Sequence, residues 1–385
     1  MAQALTTREP LLTRSFVTLV VAELAYFTAD GMAILALPLL VTGPLGGSAT
    51  GAGLAFGAFA ATALLARPFV GRLSDQWGRL PVMTAGAVLA AIGLALTAYA
   101  DSLALVIMLR LLLGVGEAAF FVAGLAALAD LAPPDRLGEA VSYYSLGLYL
   151  GLTLGPPLAE ALLHFGGFRA VWLAAALLAA AAAVLVRFVG ETRDPAAPYE
   201  PGGLIHVPAL APGLGFLTSV VAMGGFLAFA ALHARESGLA NASLPLVVYG
   251  GTVVIGRIVA GRYVDRFPPL RLGAAALGVM ALGLSLLWLV ATPAGVLVGS
   301  AVTAVGVVFS TPAFFAAIFS TASPSARGAA SATASIALDL GLAGGPLLVG
   351  MVAEGLGITG AFALCAGITL TGMAWTWLLA RRTAP

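Results

Sequence analysis

Five ionisable residues lie within long apolar runs, where charge is least expected: Glu23, Asp30, Arg110, Glu117 and Asp339. A charged side chain near the middle of a bilayer costs roughly 3 kcal/mol or more, so each is a functional candidate. Glu23 and Asp30 are separated by seven residues, as are Arg110 and Glu117, and two helical turns put each pair on one face. A carboxyl beside an arginine stays ionised, and one withdrawn from it into an apolar setting favours its protonated form. Movement between Asp30 and Arg110 would therefore change how tightly a proton is held. We expect Asp30 to be the principal proton carrier, Glu23 or Glu117 to be second, and Arg110 to set their charge. A second concentration of charge, "RPFVGRLSDQWGR" at 67–79, has a fainter copy, "RIVAGRYVDRF", at 257–267.

These residues must be positioned by membrane-spanning helices. The chain has 385 residues, 61% hydrophobic and 9% charged, with a mean hydropathy of +1.04. Soluble proteins carry about 25% charged residues. Apolar stretches of about 20 residues recur along the whole length. Spans are predicted at 15–42, 49–71, 80–100, 103–130, 138–164, 168–189, 211–235, 243–264, 271–291, 294–321, 326–353 and 358–380. The expected fold is therefore an all-α integral membrane protein of 12 transmembrane helices. The first apolar run continues through Glu23 and Asp30 to Leu40, too long for the core of a signal peptide.

Composition also excludes function classes. A net charge of +1 gives no polyelectrolyte attraction to nucleic acid. The single cysteine, Cys365, permits neither a disulfide framework nor a multi-cysteine metal site, and His164, His206 and His233 are far apart in sequence. No nucleophile elbow or phosphate loop is present, so neither an enzyme nor ATP drive is expected, and no cofactor or metal.

The two charged stretches lie at a constant offset of 190, which carries Arg67, Gly71, Arg72 and Asp75 onto Arg257, Gly261, Arg262 and Asp265. The same offset carries Gly151 to Gly341 and Gly155-Pro156 to Gly345-Pro346. A register held this long predicts duplication with orientation preserved: two pseudo-symmetric six-helix bundles that rock about a site between them. The bundles are expected at 1–189 and 211–385, joined by a polar linker at 190–210. Fifteen of the eighteen arginines fall on one face when the N-terminus is placed in the cytoplasm; Arg169 and Arg235 fall outside and Arg110 within a span. The positive-inside rule then puts both termini in the cytoplasm of a cell, or inner, membrane.

At these residues the chain resembles the major facilitator superfamily, in particular its twelve-span drug:proton antiporters. "GRLSDQWGR" is similar to that superfamily's motif A, "RLLLGVGEA" at 110–118 to motif B, and "GLYLGLTLGPP" at 147–157 to the antiporter motif C. Ala159-Glu160 stands where motif C commonly ends in Gly-Gly, and "DGMAILALP" at 30–38 resembles the acidic first-span motif of drug exporters. The resemblance implies that Asp75, with Arg72 and Arg79, latches the cytoplasmic ends of the halves while the protein faces outward, with Asp265 as its second copy. Gly71 and Gly78 would permit the tight turn there. Gly147, Gly151 and Gly155 would form a smooth face for a close neighbour, with Pro156 weakening the helix. Glu160 and Glu354, near outer ends, are expected to be solvated.

Asn241 is the only asparagine, and Gln3 and Gln76 are the only glutamines, so no amide is predicted deep in a span to hold a sugar. The expected wall of a binding cavity is Tyr26, Asp30, Phe120, Phe121, Tyr144, Phe226, Phe229, Tyr249, Phe314 and Asp339. Such a wall suits lipophilic compounds, cationic ones included. The expectation is a monomeric, proton-coupled exporter of small hydrophobic compounds working by alternating access, with the lipid bilayer and protons as its other partners. Import of a small metabolite, export of a lipid or siderophore, and a non-transporting membrane protein are the alternatives.

Overall fold

The computed structural model describes residues 11–133, 137–193, 205–264, 266–322 and 327–382. Among them the chain forms ten long helices: α1 Arg14–Thr42, α2 Ala49–Trp77, α3 Arg79–Thr97, α4 Leu103–Leu131, α5 Leu137–Val186, α6 Leu210–Glu236, α7 Leu244–Val264, α8 Pro269–Leu289, α9 Pro293–Phe319 and α10 Arg327–Arg382. A short 3-10 turn, Val207–Ala209, leads into α6. Among the described residues nine segments are long and apolar enough to cross a membrane, and α7 adds a shorter apolar stretch, Leu244–Val259. Backbone polar groups in hydrocarbon must be satisfied within their own segment, which is why helices account for the whole spanning structure.

Ten helices accommodate twelve predicted spans because α5 and α10 are each broken once. The breaks fall at Gly167 (φ 65°, ψ −166°) and Gly357 (φ 72°, ψ 169°), between the spans predicted to end at 164 and 353 and those predicted to begin at 168 and 358. Only glycine enters this backbone region without steric penalty. The two breaks are themselves 190 residues apart, so α1–α5 and α6–α10 correspond helix for helix.

The internal packing repeats as well. The α1 helix lies along α5, and its counterpart α6 lies along α10. A Cβ on Gly151 or Gly155 would fall within 3 Å of the α1 backbone at Phe27–Thr28 or Gly31–Met32, and Gly345 meets α6 at Val221 in the same way. The predicted smooth face is therefore the α1–α5 seam, with Gly147 over Val20 and Glu23. Pro156 stays inside helical α5, whose one break is at Gly167. Between the two sets of five helices, contact runs mainly along two lines, α2 against α10 and α7 against α5, with α1 touching α6.

Candidate functional site

Arg67 lies on α2 where the two sets meet. Its Nε is 2.8 Å from Asp339 Oδ2 on α10, and its Nη2 is 3.6 Å from Glu117 Oε1 on α4. The guanidinium also covers the ring of Phe121 at 5.3 Å. Asp339 and Glu117 are buried, at 2% and 7% exposure, so this is an ion cluster out of water that joins one set to the other. We expected Glu117 to share a charge site with Arg110; it pairs instead with Arg67. Helical spacing fixes which residues share a face, but not which neighbouring helix supplies the partner.

Arg110 occupies a separate hollow within the first set, lined by Tyr26, Asp30, Phe59, Leu113 and neighbours on α3 and α5. It donates from Nε to the Ala55 carbonyl at 3.4 Å and covers the Phe59 ring at 4.2 Å. Asp30 shares this hollow without a direct ion pair to Arg110. Glu23 is buried beneath Gly147, with the buried Tyr144 hydroxyl beside its carboxylate.

The repeat counterpart of Arg67 is Arg257, on α7. It donates from Nη2 to Tyr149 Oη at 2.8 Å, across to α5, and its guanidinium covers the Tyr149 ring at 4.4 Å. Tyr149 is the counterpart of Asp339 at the same offset. Sequence reasoning missed this second crossing, although the offset would have paired the two positions.

The arginine loop is bonded within its own set. Arg79 pairs with Asp75 and, at 3.2 Å, with Asp130 on α4. Glu191, just beyond α5, accepts from the backbone N–H of Arg79 at 2.9 Å and Leu80 at 3.2 Å, capping the start of α3. Arg193 reaches the Gln76 carbonyl at 2.9 Å, and Arg72 is exposed. Among the described residues the bonded partner of Asp75 is thus Arg79, and Asp265 lies outside them. Only Gly78 (φ 106°) needs glycine's freedom for the turn. Gly71 is inside α2, where a Cβ would meet nothing nearer than Val122 at 3.9 Å.

At the opposite end the two sets are sealed together. A Cβ on Gly53 or Gly57 of α2 would run into the carbonyls of Pro346 or Ala343 on α10, and Gly350 sits against Ala49. Across the other line, Glu160 of α5 accepts from the N–H of Ala242 (2.5 Å) and Ser243 (3.1 Å) and from the Ser243 hydroxyl, at the entry to α7. Glu354 of α10 accepts from Thr50 N–H at 3.4 Å, at the start of α2. Glu160 is therefore a bonded cross-set contact rather than the solvated group we expected.

The aromatic wall is largely core in this conformation. Phe120, Phe226, Phe229 and Phe314 have no exposed surface. Phe120 stacks on Tyr26 at 4.1 Å, Phe226 packs against Tyr249 at 5.0 Å, and Phe314 leans on Phe216 at 5.9 Å inside the second set. Tyr144 is also buried. Phe121 remains at the seam beneath Arg67, edge-on to Phe27.

Comparison with known proteins agrees with this arrangement. The family model "Major Facilitator Superfamily" matches residues 19–232 and again 213–385. The chain is 29% identical over 379 residues to an uncharacterized MFS-type transporter of Burkholderia mallei (strain SAVP1), covering 92% of this chain and 89% of that protein. It is 27% identical over 362 residues to one of Salmonella typhimurium, covering 91% and 93%. Among solved structures it resembles a bacterial homolog of the human lysosomal transporter Spinster in an inward-facing, unoccupied conformation, with TM-score 0.77, 16% identity and coverage of 97% and 98%. The nucleoside transporter NupG superposes with TM-score 0.77 at 14% identity, covering 95% of this chain and all of that one.

Proposed function

The chain belongs to the major facilitator superfamily, a multi-pass membrane transporter family acting on small molecules, and from that premise we propose that it is a proton-coupled exporter of small hydrophobic compounds. The observation that carries the proposal is Arg67, held between Glu117 of its own set and Asp339 of the other. With both acids ionised, the guanidinium ties α2 to α10. A proton on Asp339 removes the charge that reaches across, and the seam is then free to part. Removing one partner from a buried ion cluster leaves an uncompensated charge worth about 3–5 kcal/mol, enough to shift a conformational equilibrium by orders of magnitude. Asp30, beside Arg110 in the neighbouring hollow, takes part as a second proton site.

The two bundles, 1–189 and 211–385, move as bodies joined by 190–210. In the orientation given by the arginine distribution, both termini are cytoplasmic and the sealed end is the outer one. The conformation is then closed outside, and the match to inward-facing Spinster-homolog structures supports that assignment. The intra-set bonding of Asp75 is the unlatched form expected of motif A in this state.

The test is accumulation of lipophilic substrates in inverted membrane vesicles under an imposed pH gradient, inside acid. Gradient-driven uptake abolished by a protonophore supports coupled export. Uptake indifferent to the gradient removes the coupling, and unaltered gradient dependence in Asp339→Asn removes Asp339 from the proton step.

A further inference from the structure

Arg67 and Arg257 are the same residue in two copies of one scaffold, yet their surroundings differ in charge. Arg67 has two carboxylates within reach. At the counterpart positions around Arg257 stand Val307 in place of Glu117 and Tyr149 in place of Asp339. Among the described residues no carboxylate lies within 4.0 Å of Arg257. Its Nε, like that of Arg67, is buried without a hydrogen-bond partner, and its one described bond is the 2.8 Å donation to Tyr149 Oη.

A guanidinium offers five donors in a planar fork and accepts nothing. A partly buried cation that lacks a counter-charge is costly unless something supplies that charge. Tyr149 does not, but having accepted a bond from Arg257 its hydroxyl keeps its own proton to donate. The Nε–H of Arg257 and the O–H of Tyr149 are thus two unused donors on the line where the two sets meet, a donor chemistry that matches a carboxylate.

We infer that Arg257 and Tyr149 form an anion-binding subsite that takes the carboxylate of an otherwise apolar organic acid. This rests on the transporter reading for its role but not for its binding chemistry. It narrows the cargo from hydrophobic compounds in general to amphipathic anions, and it divides labour between the copies. Arg67, already neutralised, answers to protons, while Arg257 answers to the ligand.

The experiment uses the full chain in lipid nanodiscs and three tritiated probes of one size: naphthalene-2-carboxylate, naphthalene-2-carboxamide and naphthalen-2-yl-trimethylammonium. Binding is measured after subtracting empty nanodiscs. The carboxylate should bind about tenfold more tightly than the carboxamide, the worth of one charged hydrogen-bonded contact. Arg257→Gln should bring the two within about twofold, Arg257→Lys should retain part of the preference, and Tyr149→Phe should weaken it less than Arg257→Gln. Arg257→Lys also serves as the folding control, because it keeps a cation in the seam. Equal binding of carboxylate and carboxamide overturns the inference, as does a preference that survives Arg257→Gln, or tightest binding of the ammonium probe. A carboxylate preference in a protein without gradient-driven transport would leave the subsite standing and remove only the coupled-export reading.

Discussion

The α2–α10 and α7–α5 lines are copies of one seam, and each is crossed by an arginine at the same register. At α2–α10 the arginine meets acids, Asp339 at 2.8 Å and Glu117 at 3.6 Å. At α7–α5 it meets a tyrosine hydroxyl at 2.8 Å. Duplication thus preserved the reach across the interface while the receiving residue diverged. A salt bridge between buried ions depends on both partners being charged, whereas a hydrogen bond from an arginine to a tyrosine hydroxyl needs no charge on the acceptor. A symmetric scaffold can therefore have one seam that responds to protons and one that does not.

The sharpest way to break this comparison is to remove each arginine in turn. Arg67→Leu leaves two buried carboxylates without their cation and should destabilise the protein by about 3–5 kcal/mol. Arg257→Leu removes one hydrogen bond and an uncompensated charge and should cost about 1 kcal/mol or less. Equilibrium unfolding in mixed micelles reads both, and equal losses would show that the seams do not differ. Adding Glu117→Leu and Asp339→Leu to Arg67→Leu should recover most of the stability without recovering transport. A second variant, Asp339→Tyr, gives the first seam the chemistry of the second. Gradient-driven accumulation in inverted vesicles should fall to the protonophore level; unaltered coupling would locate the proton step elsewhere, in the Asp30–Arg110 hollow.

Much of the scaffold was legible in the sequence because periodic apolar length is what a bilayer demands. The breaks at Gly167 and Gly357 fall in the gaps between predicted spans, although the helices run on closely enough to each side to form two long elements. The charged residues were legible as candidates but not as pairs. Arg110 and Glu117 share a face of α4 and both turn to α2, Arg110 to Phe59 and Glu117 to Arg67 two turns further along. Which partner wins depends on the lateral arrangement of helices, about which spacing along one helix says nothing. The aromatics misled for a related reason. Phe314 fits against Gly215 and Gly273 of its own set, and small residues that accommodate a ring in the core carry no mark distinguishing them from small residues lining a cavity.

The sealed end offers a second comparison with a smaller effect. Glu160 accepts from two backbone N–H groups and a hydroxyl across the α5–α7 line, while Glu354, fully solvated, accepts from Thr50 N–H at 3.4 Å beside Ser48 on the α10–α2 line. Glu160→Ala should therefore favour the form open at this end by about 1–2 kcal/mol, a roughly five- to thirtyfold change in population ratio. Glu354→Ala should leave the ratio unchanged. Spin labels at the exposed positions Phe165 and Ala240 would report the separation as a longer-distance population. An equal response to both substitutions would mean that helix packing alone, through Gly53 and Gly57 against α10, holds the end shut.

The smallest expected effect lies in the arginine loop, where among the described residues Asp75 is bonded to Arg79 and the charges serve local order. Partial burial works to raise the Glu191 proton affinity, but the backbone N–H groups of Arg193, Arg79, Leu80 and Thr192 outweigh it and hold the carboxyl below its ordinary range. A depressed folded-state value stabilises the protein at pH above the unfolded value of about 4.3, and that contribution disappears as pH falls through the folded value. Wild-type protein should thus lose a small increment of thermal stability on acidification below about pH 4 that Glu191→Gln, weakened already at neutral pH, does not lose. Because Glu191 is largely solvated, salt screens part of the effect, and the difference between wild type and variant should shrink at high ionic strength. A difference that instead grew on acidification would mean that Glu191 is better bonded when protonated. The start of α3 would then depend on Gly78 and the Arg79–Asp130 pair rather than on a charged cap.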